Sequence, residues 1–467
     1  MSLLQTYLGL MVTLASAIEM VAGGQIPIGG DTLTGSPKIS GRAAYRLAHQ
    51  LDETFSSPPG AWYDPQSNPT GIINLSTAEN SILSEDLLED IQSRLQLTPH
   101  HLKYRAALLR SSVNTTVDAL PVFLNKSLRP VHPITADIVV PGPGIGAILA
   151  QLIWALCDEG DGVLLTTPYY TDYPRDIIYP GRAVVVPAHI PADIDTLSPA
   201  AIPYIESTIA LSLSTNNHVR VLLVCNPHNP LGAAYPVETL VGYARLAEKY
   251  NLHLVVDEVF ANQVFASKFA PDPTQFTSVL AINDLPTSPA RVHVLAGPTK
   301  DLGASGLKVG ALVSRNSDIL RLVRTALYAL PISSASDAAL TPLLMDEDWL
   351  NAFLMKNRRF LRAAFETAAE WCTQHNIEFI PSSAGVFFVA DFAPLVEKLP
   401  GNTVEDKLEA ARISLIGAGV FIRPTTTSLD PKSYRFRFVF SHPMPTLKLA
   451  LRRLEVAFGL PPSTMTT

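Results

Sequence analysis

Cysteine, charge and basic clusters are scarce in this sequence of 467 residues. The three cysteines lie far apart and form no CxxC or Cys/His cluster, so the sequence predicts neither a disulfide framework nor a zinc site and fits a reducing compartment. Charged residues make up 16% of the chain, the net charge is −7 and no basic run stands out, which argues against nucleic acid or an anionic membrane surface as a partner. A small-molecule partner is therefore expected.

The N-terminal stretch MSLLQTYLGLMVTLASAIEM is apolar, but it lacks the basic start of a signal peptide and contains Glu19. Its apolar run is too short to predict a membrane span. We therefore expect a cytoplasmic protein whose N-terminus forms a helix packed on the body or on a second subunit. A secretory signal cleaved after ASA, or an anchor, is the alternative.

Apolar residues are abundant, at 47%, so the chain can bury a large core. From about residue 137, short β-branched runs with few charges alternate with longer helical stretches, a pattern typical of strands buried on both faces and joined by crossover helices. The pattern predicts an α/β fold: a large domain on a mostly parallel, doubly wound sheet, and a smaller α+β domain from the two chain ends.

Stretches rich in proline, glycine and serine at 56–71 and 331–343 are candidate domain boundaries. The last part of the chain opens with a long helical pattern, WLNAFLMKNRRFLRAAFETAAEWCTQH, followed by short strands. We expect residues 1–75 to form an N-terminal segment that joins the small domain, residues 76–343 to form the large domain, and residues 344–467 to form the small C-terminal domain.

Polar residues follow several apolar runs at the point where each predicted strand ends. Asn229 lies in the turn NPHNPLG, Asp257 ends the run LHLVVD, and Lys300 follows VHVLA. Ligands of open α/β sheets bind outside the carboxyl ends of the strands, so these three side chains are candidate site residues. Taken singly, each is also typical of a structural role: a turn asparagine, a helix-capping aspartate and a solvated lysine.

The glycine-rich turn VVPGPGIGAIL offers a site of a different kind. Gly142, Gly144 and Ala147 fit the GxGxxA pattern between a strand and a helix that is typical of dinucleotide binding. That pattern also requires an acidic residue at the end of the next strand, whereas GVLLTTPYY ends in threonines and tyrosines. A nicotinamide-dependent dehydrogenase is therefore an alternative from another class.

Six segments, in this order along the chain, resemble one enzyme family. They are NPTGIINLSTAENSIL, PYYTDYPRD, NPHNPLG, DEVFANQVF, TKDLGASGLKVG and RFRFVFSH. Together they resemble fold type I pyridoxal 5'-phosphate (PLP) enzymes of the class I/II aminotransferase superfamily, in the branch similar to 1-aminocyclopropane-1-carboxylate (ACC) synthase. The resemblance covers roughly residues 60 to 460. It implies PLP as the cofactor, an α-amino acid as the substrate and no metal.

The resemblance implies a role for each strand-end residue. Lys300 would form a Schiff base with the cofactor and act as the base for the α-proton. Asp257 would keep the pyridine nitrogen protonated, and Asn229 would donate a hydrogen bond to the ring's 3-oxygen close to the substrate. Tyr170 would stack on the ring as a further catalytic residue. Glu79 would lie near the substrate side chain.

The remaining site residues are also implied by position in the family motifs. Ile145 and Gly146 lie where a phosphate loop meets a helix N-terminus, whose free N–H groups attract phosphate. Arg437 would bind the substrate carboxylate bidentately, with Arg435 on the same strand face as the alternative. Tyr104 sits at the position from which family members reach the neighbouring subunit's cofactor, so a homodimer with shared active sites is implied.

Three positions depart from the family pattern. Phe260 stands where most relatives carry a tyrosine that bonds the 3-oxygen, Gly297 stands where many carry a phosphate-binding serine, and Lys308 replaces an arginine. The hydroxyl of Thr299 would compensate in part. Because lysine offers phosphate a point charge while arginine offers a bidentate fork, we expect a less rigid phosphate cup.

The reaction that follows is PLP-dependent aminotransferase chemistry on an α-amino acid, beginning with removal of the α-proton. The close alternative is a PLP-dependent lyase, by carbon–sulfur β-elimination, ACC-synthase-like α,γ-elimination or γ-substitution, because each of these begins with the same proton loss. A PLP-fold protein without catalytic activity is a third interpretation, which the presence of Lys300, Asp257, Asn229 and Arg437 argues against.

Overall fold

A computed structural model describes residues 39–48, 62–104, 114–214 and 218–465. The described residues fall into two units. The first contains one helix, Gly41–Ala48, with exposed Ile39 and Leu47 beside and within it. The expectations for the N-terminal twenty residues, as helix, signal or anchor, lie outside the described residues. Everything below concerns the second unit, from Trp62 onward.

Short strands alternate with helices along the chain. The strands are β1 (Ile73–Asn74), β2 (Val139–Gly142), β3 (Gly162–Thr166), β4 (Val184–Ala188), β5 (Val219–Cys225), β6 (His253–Asp257), β7 (Val292–Ala296), β8 (Gly310–Ser314), β9 (Glu378–Ile380), β10 (Phe387–Asp391), β11 (Val420–Phe421), β12 (Arg423–Pro424) and β13 (Arg435–Val439). The α-helices, counting the first unit's as α1, are α1 (Gly41–Ala48), α2 (Ser84–Arg94), α3 (Thr116–Leu128), α4 (Ile145–Leu156), α5 (Tyr173–Gly181), α6 (Ile202–Ser212), α7 (Val237–Lys249), α8 (Pro298–Asp301), α9 (Ser317–Ala326), α10 (Ser334–Met345), α11 (Glu347–Gln374), α12 (Ala393–Val396), α13 (Val404–Gly417) and α14 (Met444–Phe458). Single 3₁₀ turns lie at Ala136–Ile138, Pro199–Ala201, Val279–Ala281, Pro289–Arg291, Ser305–Leu307, Leu327–Ala329 and Thr425–Ser428.

A seven-stranded sheet forms the centre of the large region, in the order β2-β8-β7-β6-β5-β3-β4. Its neighbouring strands run parallel except at β8, which pairs antiparallel with both β2 and β7. The predicted mostly parallel α/β sheet is confirmed. Because the strands other than β8 share one direction, their carboxyl ends lie along one edge of the sheet.

The inner strands of this sheet are buried on both faces, which explains their β-branched composition. Successive residues of β5 alternate between two hydrophobic clusters: Leu222 and Val224 pack in one, and Val221 and Leu223 pack in the other. Helix α4 contributes Leu152 to the second cluster. The middle of a strand with both faces covered has no room for charge, so charged and polar residues collect toward the strand ends.

A second, four-stranded sheet follows α11, in the order β12-β13-β10-β9, with antiparallel pairing throughout. Buried phenylalanines cluster on one face of this sheet, where Phe388, Phe436, Phe438 and Phe440 pack with Phe365 of α11. The ring of Phe388 stacks on that of its cross-strand partner Phe438, with centroids 5.1 Å apart. This apolar core anchors the C-terminal part of the chain.

The N-terminal residues of this unit pair with its C-terminal part. Strand β1 runs parallel to β11, with Ile73 opposite Val420. The described units do not separate the expected segments 1–75, 76–343 and 344–467, so that division stays a prediction. None of the helices in the described part of the chain combines the length and the apolar character needed to cross a membrane.

Candidate active site

The carboxyl edge of the seven-stranded sheet brings the sequence-predicted residues together. Asp257 is the last residue of β6 and lies opposite Cys225, the last residue of β5, and opposite Leu295 of β7. Lys300 lies in the short helix α8, which begins directly after β7. Segments far apart in the sequence therefore meet at one place because parallel strands end at one edge.

Lys300 is half-buried, and its Nζ donates a hydrogen bond of 2.7 Å to the carbonyl oxygen of Ala78. The side chain of Gln263 donates to the Lys300 carbonyl oxygen over 2.7 Å, which holds the backbone at this point. Burial lowers the pKa of the Lys300 amine; the nearby Glu79 carboxylate opposes that shift and the Arg437 cation adds to it. A lysine with a lowered pKa spends more time as the neutral amine, which is the nucleophilic form.

Asp257 is 6% exposed, and its carboxylate accepts two hydrogen bonds. The hydroxyl of Tyr173 donates to Oδ2 over 2.8 Å, and the backbone N–H of Val259 donates to Oδ1 over 3.3 Å. Burial raises the pKa of the Asp257 carboxyl to about 6, while these two donors and the Lys300 cation oppose the shift. The site thus holds a carboxylate, fixed in orientation, at the end of a central strand.

Arg437, on β13, is 9% exposed and lies beside Asn229. Its Nη1 donates to Asn229 Oδ1 over 3.0 Å, its Nη2 donates to the Ser76 carbonyl oxygen, and its guanidinium lies 5.4 Å from the Phe387 ring centroid. No described acidic side chain forms an ion pair with Arg437, whereas Arg435 lies 3.6 Å from Asp430. A buried guanidinium that lacks its own carboxylate is suited to bind a carboxylate ligand.

Asn229 is 4% exposed, and its Oδ1 accepts from Arg437. Its amide N–H groups are then directed away from that bond and can serve as donors toward a ligand. The structure thus places the predicted asparagine and the predicted arginine in direct contact.

The N-terminus of α4 forms the opposite end of the site. Gly144, at φ +89°, precedes Ile145 and Gly146, and the Lys308 side chain lies 3.5 Å from where a Gly144 Cβ would be. Lys308 and Gly146 are exposed in the single chain. Free backbone N–H groups at a helix start, with a lysine alongside, form a site for an anion such as phosphate.

Gly297 has a steric reason to lack a side chain. A Cβ at this position would lie 2.8 Å from the Gly310 Cα and 2.9 Å from the Val309 carbonyl oxygen. The serine that the family resemblance leads us to expect at this position has no room in this backbone arrangement. The Thr299 hydroxyl donates to that same carbonyl over 3.4 Å, a long hydrogen bond.

Aromatic side chains line the space between these polar groups. Tyr170 is half-buried, and its hydroxyl donates to Asp172 Oδ2 over 2.7 Å. Phe260 is 3% exposed and packs edge-on against Phe387 at 5.3 Å between centroids. Phe387 therefore supports both Phe260 and Arg437, although the sequence motifs did not single it out.

Two predicted residues lie at the margin. Glu79 is exposed, but its charge acts on Lys300. Tyr104 is 92% exposed, so within one chain its ring is not packed into the site.

Sequence reasoning missed Tyr173, Gln263 and Phe387. Tyr173 was within reach, since it follows Tyr170 by three residues inside the quoted segment PYYTDYPRD. Its hydroxyl group stands at the first position of α5, three residues after Tyr170, and that spacing is the signal that could have identified it.

The dinucleotide alternative is wrong because the topology does not support it. Strand β2, which leads into Gly142 and Gly144, is an edge strand paired antiparallel with β8, and β3 lies near the other end of the sheet. A dinucleotide-binding unit requires β2 and the strand after its helix to be parallel neighbours.

Comparisons with known proteins agree with this geometry. The chain is 29% identical over 398 residues to "Probable aminotransferase sirI" of Leptosphaeria maculans, covering 84% of this chain and 92% of that protein. It is 30% identical to 1-aminocyclopropane-1-carboxylate synthase-like protein 1 of Bos taurus, covering 91% and 83%. Among solved structures, Bna3p of Saccharomyces cerevisiae shares the fold with a TM-score of 0.67 at 19% identity, covering 85% and 93%.

The family described as "Aminotransferase class I and II" matches residues 70–454, a range that includes the lysine, the aspartate, the asparagine and the arginine of the site. With the sheet order, the site geometry and this match in agreement, the chain belongs to the aminotransferase class I and II family.

Proposed function

We propose that this protein uses PLP to transform an α-amino acid, with transamination as its main reaction. The single observation that carries the proposal is the meeting of Lys300, Asp257 and Arg437 at one edge of the sheet. A nucleophilic amine, a carboxylate for a ring nitrogen and a carboxylate-binding arginine are the three groups that such chemistry requires.

The residues present fit PLP. Asp257 offers a buried carboxylate to a pyridine nitrogen, and the α4 N-terminus with Lys308 offers an anion site to a phosphate. When bound, the cofactor supplies an aldehyde that reacts with an amine and a ring that withdraws electrons from the substrate's Cα. Lys300 would supply that amine, and the charges of both Asp257 and Lys308 act on it.

The protein's own groups then divide the work. Arg437 binds the substrate carboxylate and orients Cα toward Lys300. The Lys300 Nζ, whose pKa burial lowers, takes the proton from Cα and returns it at a later step. With PLP bound, Asn229 would orient the ring oxygen, Tyr170 would cover a ring face, and Asp257 would stabilise positive charge on the ring nitrogen.

A second candidate function is a PLP-dependent lyase acting on a carbon–sulfur or γ-position bond. Two observations support it: the ACC synthase-like relative, and Phe260, which stands where the family resemblance leads us to expect a tyrosine hydroxyl. Removal of the α-proton is common to both reactions, so the same residues serve either one. The protein is further proposed to work as a homodimer, with Tyr104 contributing to the neighbouring site.

Borohydride reduction of the holoenzyme followed by peptide mapping tests the cofactor attachment. The pyridoxyl mass is expected on the peptide that contains TKDLGASGLK. Lys300→Ala should lose the label, and the exposed control Lys398→Ala should keep it. A label on any other lysine would overturn the assignment.

The reaction type is tested by one series of incubations with product identification by mass. The substrates are common amino acids with 2-oxoglutarate, cysteine conjugates, and S-adenosylmethionine. Glutamate as a product supports transamination; a released thiol or ACC instead favours the lyase.

A further inference from the structure

Tyr173 contacts the carboxylate of Asp257. It follows Tyr170, the residue proposed to stack on the cofactor ring, by three positions. It is the first residue of α5 and is 3% exposed. Its hydroxyl lies 2.8 Å from Asp257 Oδ2, as a donor to an acceptor-only carboxylate. The family resemblance implied no role for Tyr173.

The Tyr173 ring is held from two sides. Tyr170 packs edge-on against it, with centroids 5.2 Å apart and an interplanar angle of 88°. The buried thiol of Cys225 lies beside its hydroxyl. A ring fixed in this way directs its O–H at one oxygen of Asp257, while the Val259 N–H binds the other oxygen.

The Tyr173 contact matters because Asp257 is buried, and burying a charged carboxylate costs free energy. Burial alone favours the neutral acid and raises the pKa of Asp257 to about 6, and the Tyr173 hydroxyl is the largest opposing influence. The pKa of Tyr173 itself is raised far above its ordinary value by burial and by Asp257, so the phenol keeps its proton and acts as a donor.

We propose that Tyr173 is a positioning residue whose hydroxyl orients the Asp257 carboxylate and stabilises its negative charge, and that this keeps the proton of the cofactor's ring nitrogen on nitrogen. The inference rests on the proposed function, since it concerns the same ring nitrogen. Tyr173 acts through Asp257 and does not touch the substrate.

Other titratable groups face Asp257 from the neighbouring elements. They are Cys225 on β5, Glu258 after β6, Lys300 on α8 and Asp176 on α5. The Glu258 carboxylate is engaged elsewhere, by Ser278 Oγ and the Val279 N–H. Besides Tyr173, the only described hydrogen-bond donor to the Asp257 carboxylate is the Val259 backbone N–H, so Tyr173 is the side chain to test.

The test is ¹⁵N NMR of the holoenzyme reconstituted with PLP labelled at the ring nitrogen. Tyr173→Phe keeps the ring and removes the donor. We expect the ring-nitrogen resonance to move toward the neutral-pyridine position, with the ratio of protonated to neutral ring falling about tenfold, the equivalent of one pKa unit. Cofactor affinity, measured by fluorescence, should fall as well.

Tyr243→Phe is the matched control. Tyr243 is 1% exposed and its hydroxyl pairs with Thr166 Oγ1 at 2.8 Å, away from Asp257. It should leave the ¹⁵N shift unchanged. An unchanged shift in Tyr173→Phe, or equal shifts in both variants, would overturn the proposal.

Two further measurements keep the outcomes separate. Borohydride labelling of wild type at Lys300 reports on the proposed function alone, whatever Tyr173 does. If Tyr173→Phe fails to fold, the Cζ resonance of ¹³C-labelled tyrosine in wild type and Asp257→Asn replaces it. The Tyr173 signal should move in Asp257→Asn, and a signal that stays in place would reject the contact.

Discussion

The carboxyl edge of the seven-stranded sheet and the phenylalanine cluster of the four-stranded sheet are both buried, yet they are built from opposite chemistry. At the edge, burial raises the pKa of Asp257 to about 6, of Glu258 to about 8 and of Asp301 to about 7. In the phenylalanine cluster, rings such as Phe388 and Phe438 contact one another without a polar atom.

Strand β13 belongs to both regions. Phe436 and Phe438 point into the phenylalanine cluster, while Arg437 between them points to the site beside Asn229. Stability and chemistry therefore depend on different side chains. Buried carboxyls cost folding free energy and prepare the site, whereas the rings supply apolar burial that offsets that cost.

The largest expected effect comes from removing the lysine. Lys300→Ala should reduce turnover on the order of 10³-fold or more, because one side chain both attaches the cofactor and moves the α-proton. Its fold should persist. Steady-state kinetics and thermal unfolding measure the two quantities.

Phe388→Ala should show the reverse pattern. Loss of a fully buried ring should lower the free energy of unfolding by about 3–5 kcal/mol, while the folded fraction keeps its kcat. Equal losses of stability in Lys300→Ala and Phe388→Ala would contradict the division of chemistry and stability between the two regions.

The next effect concerns the arginines of β13. Arg437→Lys should lower kcat/KM about 100-fold, because a bidentate carboxylate contact becomes a single one and the substrate loses its orientation. Arg435→Lys should change kcat/KM little, because the Arg435 guanidinium lies 3.6 Å from Asp430 and is already paired. A larger effect at Arg435 would reverse the assignment.

A fourth prediction concerns stability and pH in the protein without cofactor. The folded pKa of Asp257, about 6, lies above the unfolded value of 3.8, so the folded state holds the proton more tightly. The stabilising contribution of the neutral acid is thus lost as pH rises from about 4 to 6. Above pH 6 the folded state bears the full free-energy cost of burying the charged carboxylate. Asp257→Asn removes that cost, so its free energy of unfolding should exceed that of wild type by up to about 3 kcal/mol at pH 7.5.

Urea unfolding at pH 4 and pH 7.5 checks this. The advantage of Asp257→Asn should be small at pH 4 and large at pH 7.5, and its cofactor chemistry should be lost. An advantage that does not depend on pH would contradict the burial argument.

The smallest expected effect comes from a hydroxyl at Phe260. Phe260→Tyr should add a donor to the cofactor's 3-oxygen and shift the pH midpoint of the bound cofactor's visible absorbance downward, by up to about one unit. Phe265→Tyr, in the same hydrophobic cluster, is the matched control and should leave the midpoint in place. No shift, or an upward shift, would mean that another donor already binds that oxygen.

Much of the fold could be predicted because its signals are local. The β-branched runs with few charges indicated doubly buried strands, and the strand-end positions of Asp257 and Lys300 follow from the same pattern. The antiparallel strand β8 could not be predicted in this way, since its composition matches that of its parallel neighbours.

By itself, the sequence determined the α/β class and the order of the six motifs, and it predicted the lysine, aspartate and asparagine of the site, because each depends on residues close together in the chain. Tertiary structure alone decided that Arg435 pairs with Asp430 while Arg437 stays open to a ligand, and that Gly297 has no room for a side chain. It also decided that Tyr173 reaches Asp257 across 84 positions of chain. Such contacts are set by the pairing of strands and the packing of helices between distant segments, which local residue patterns do not encode.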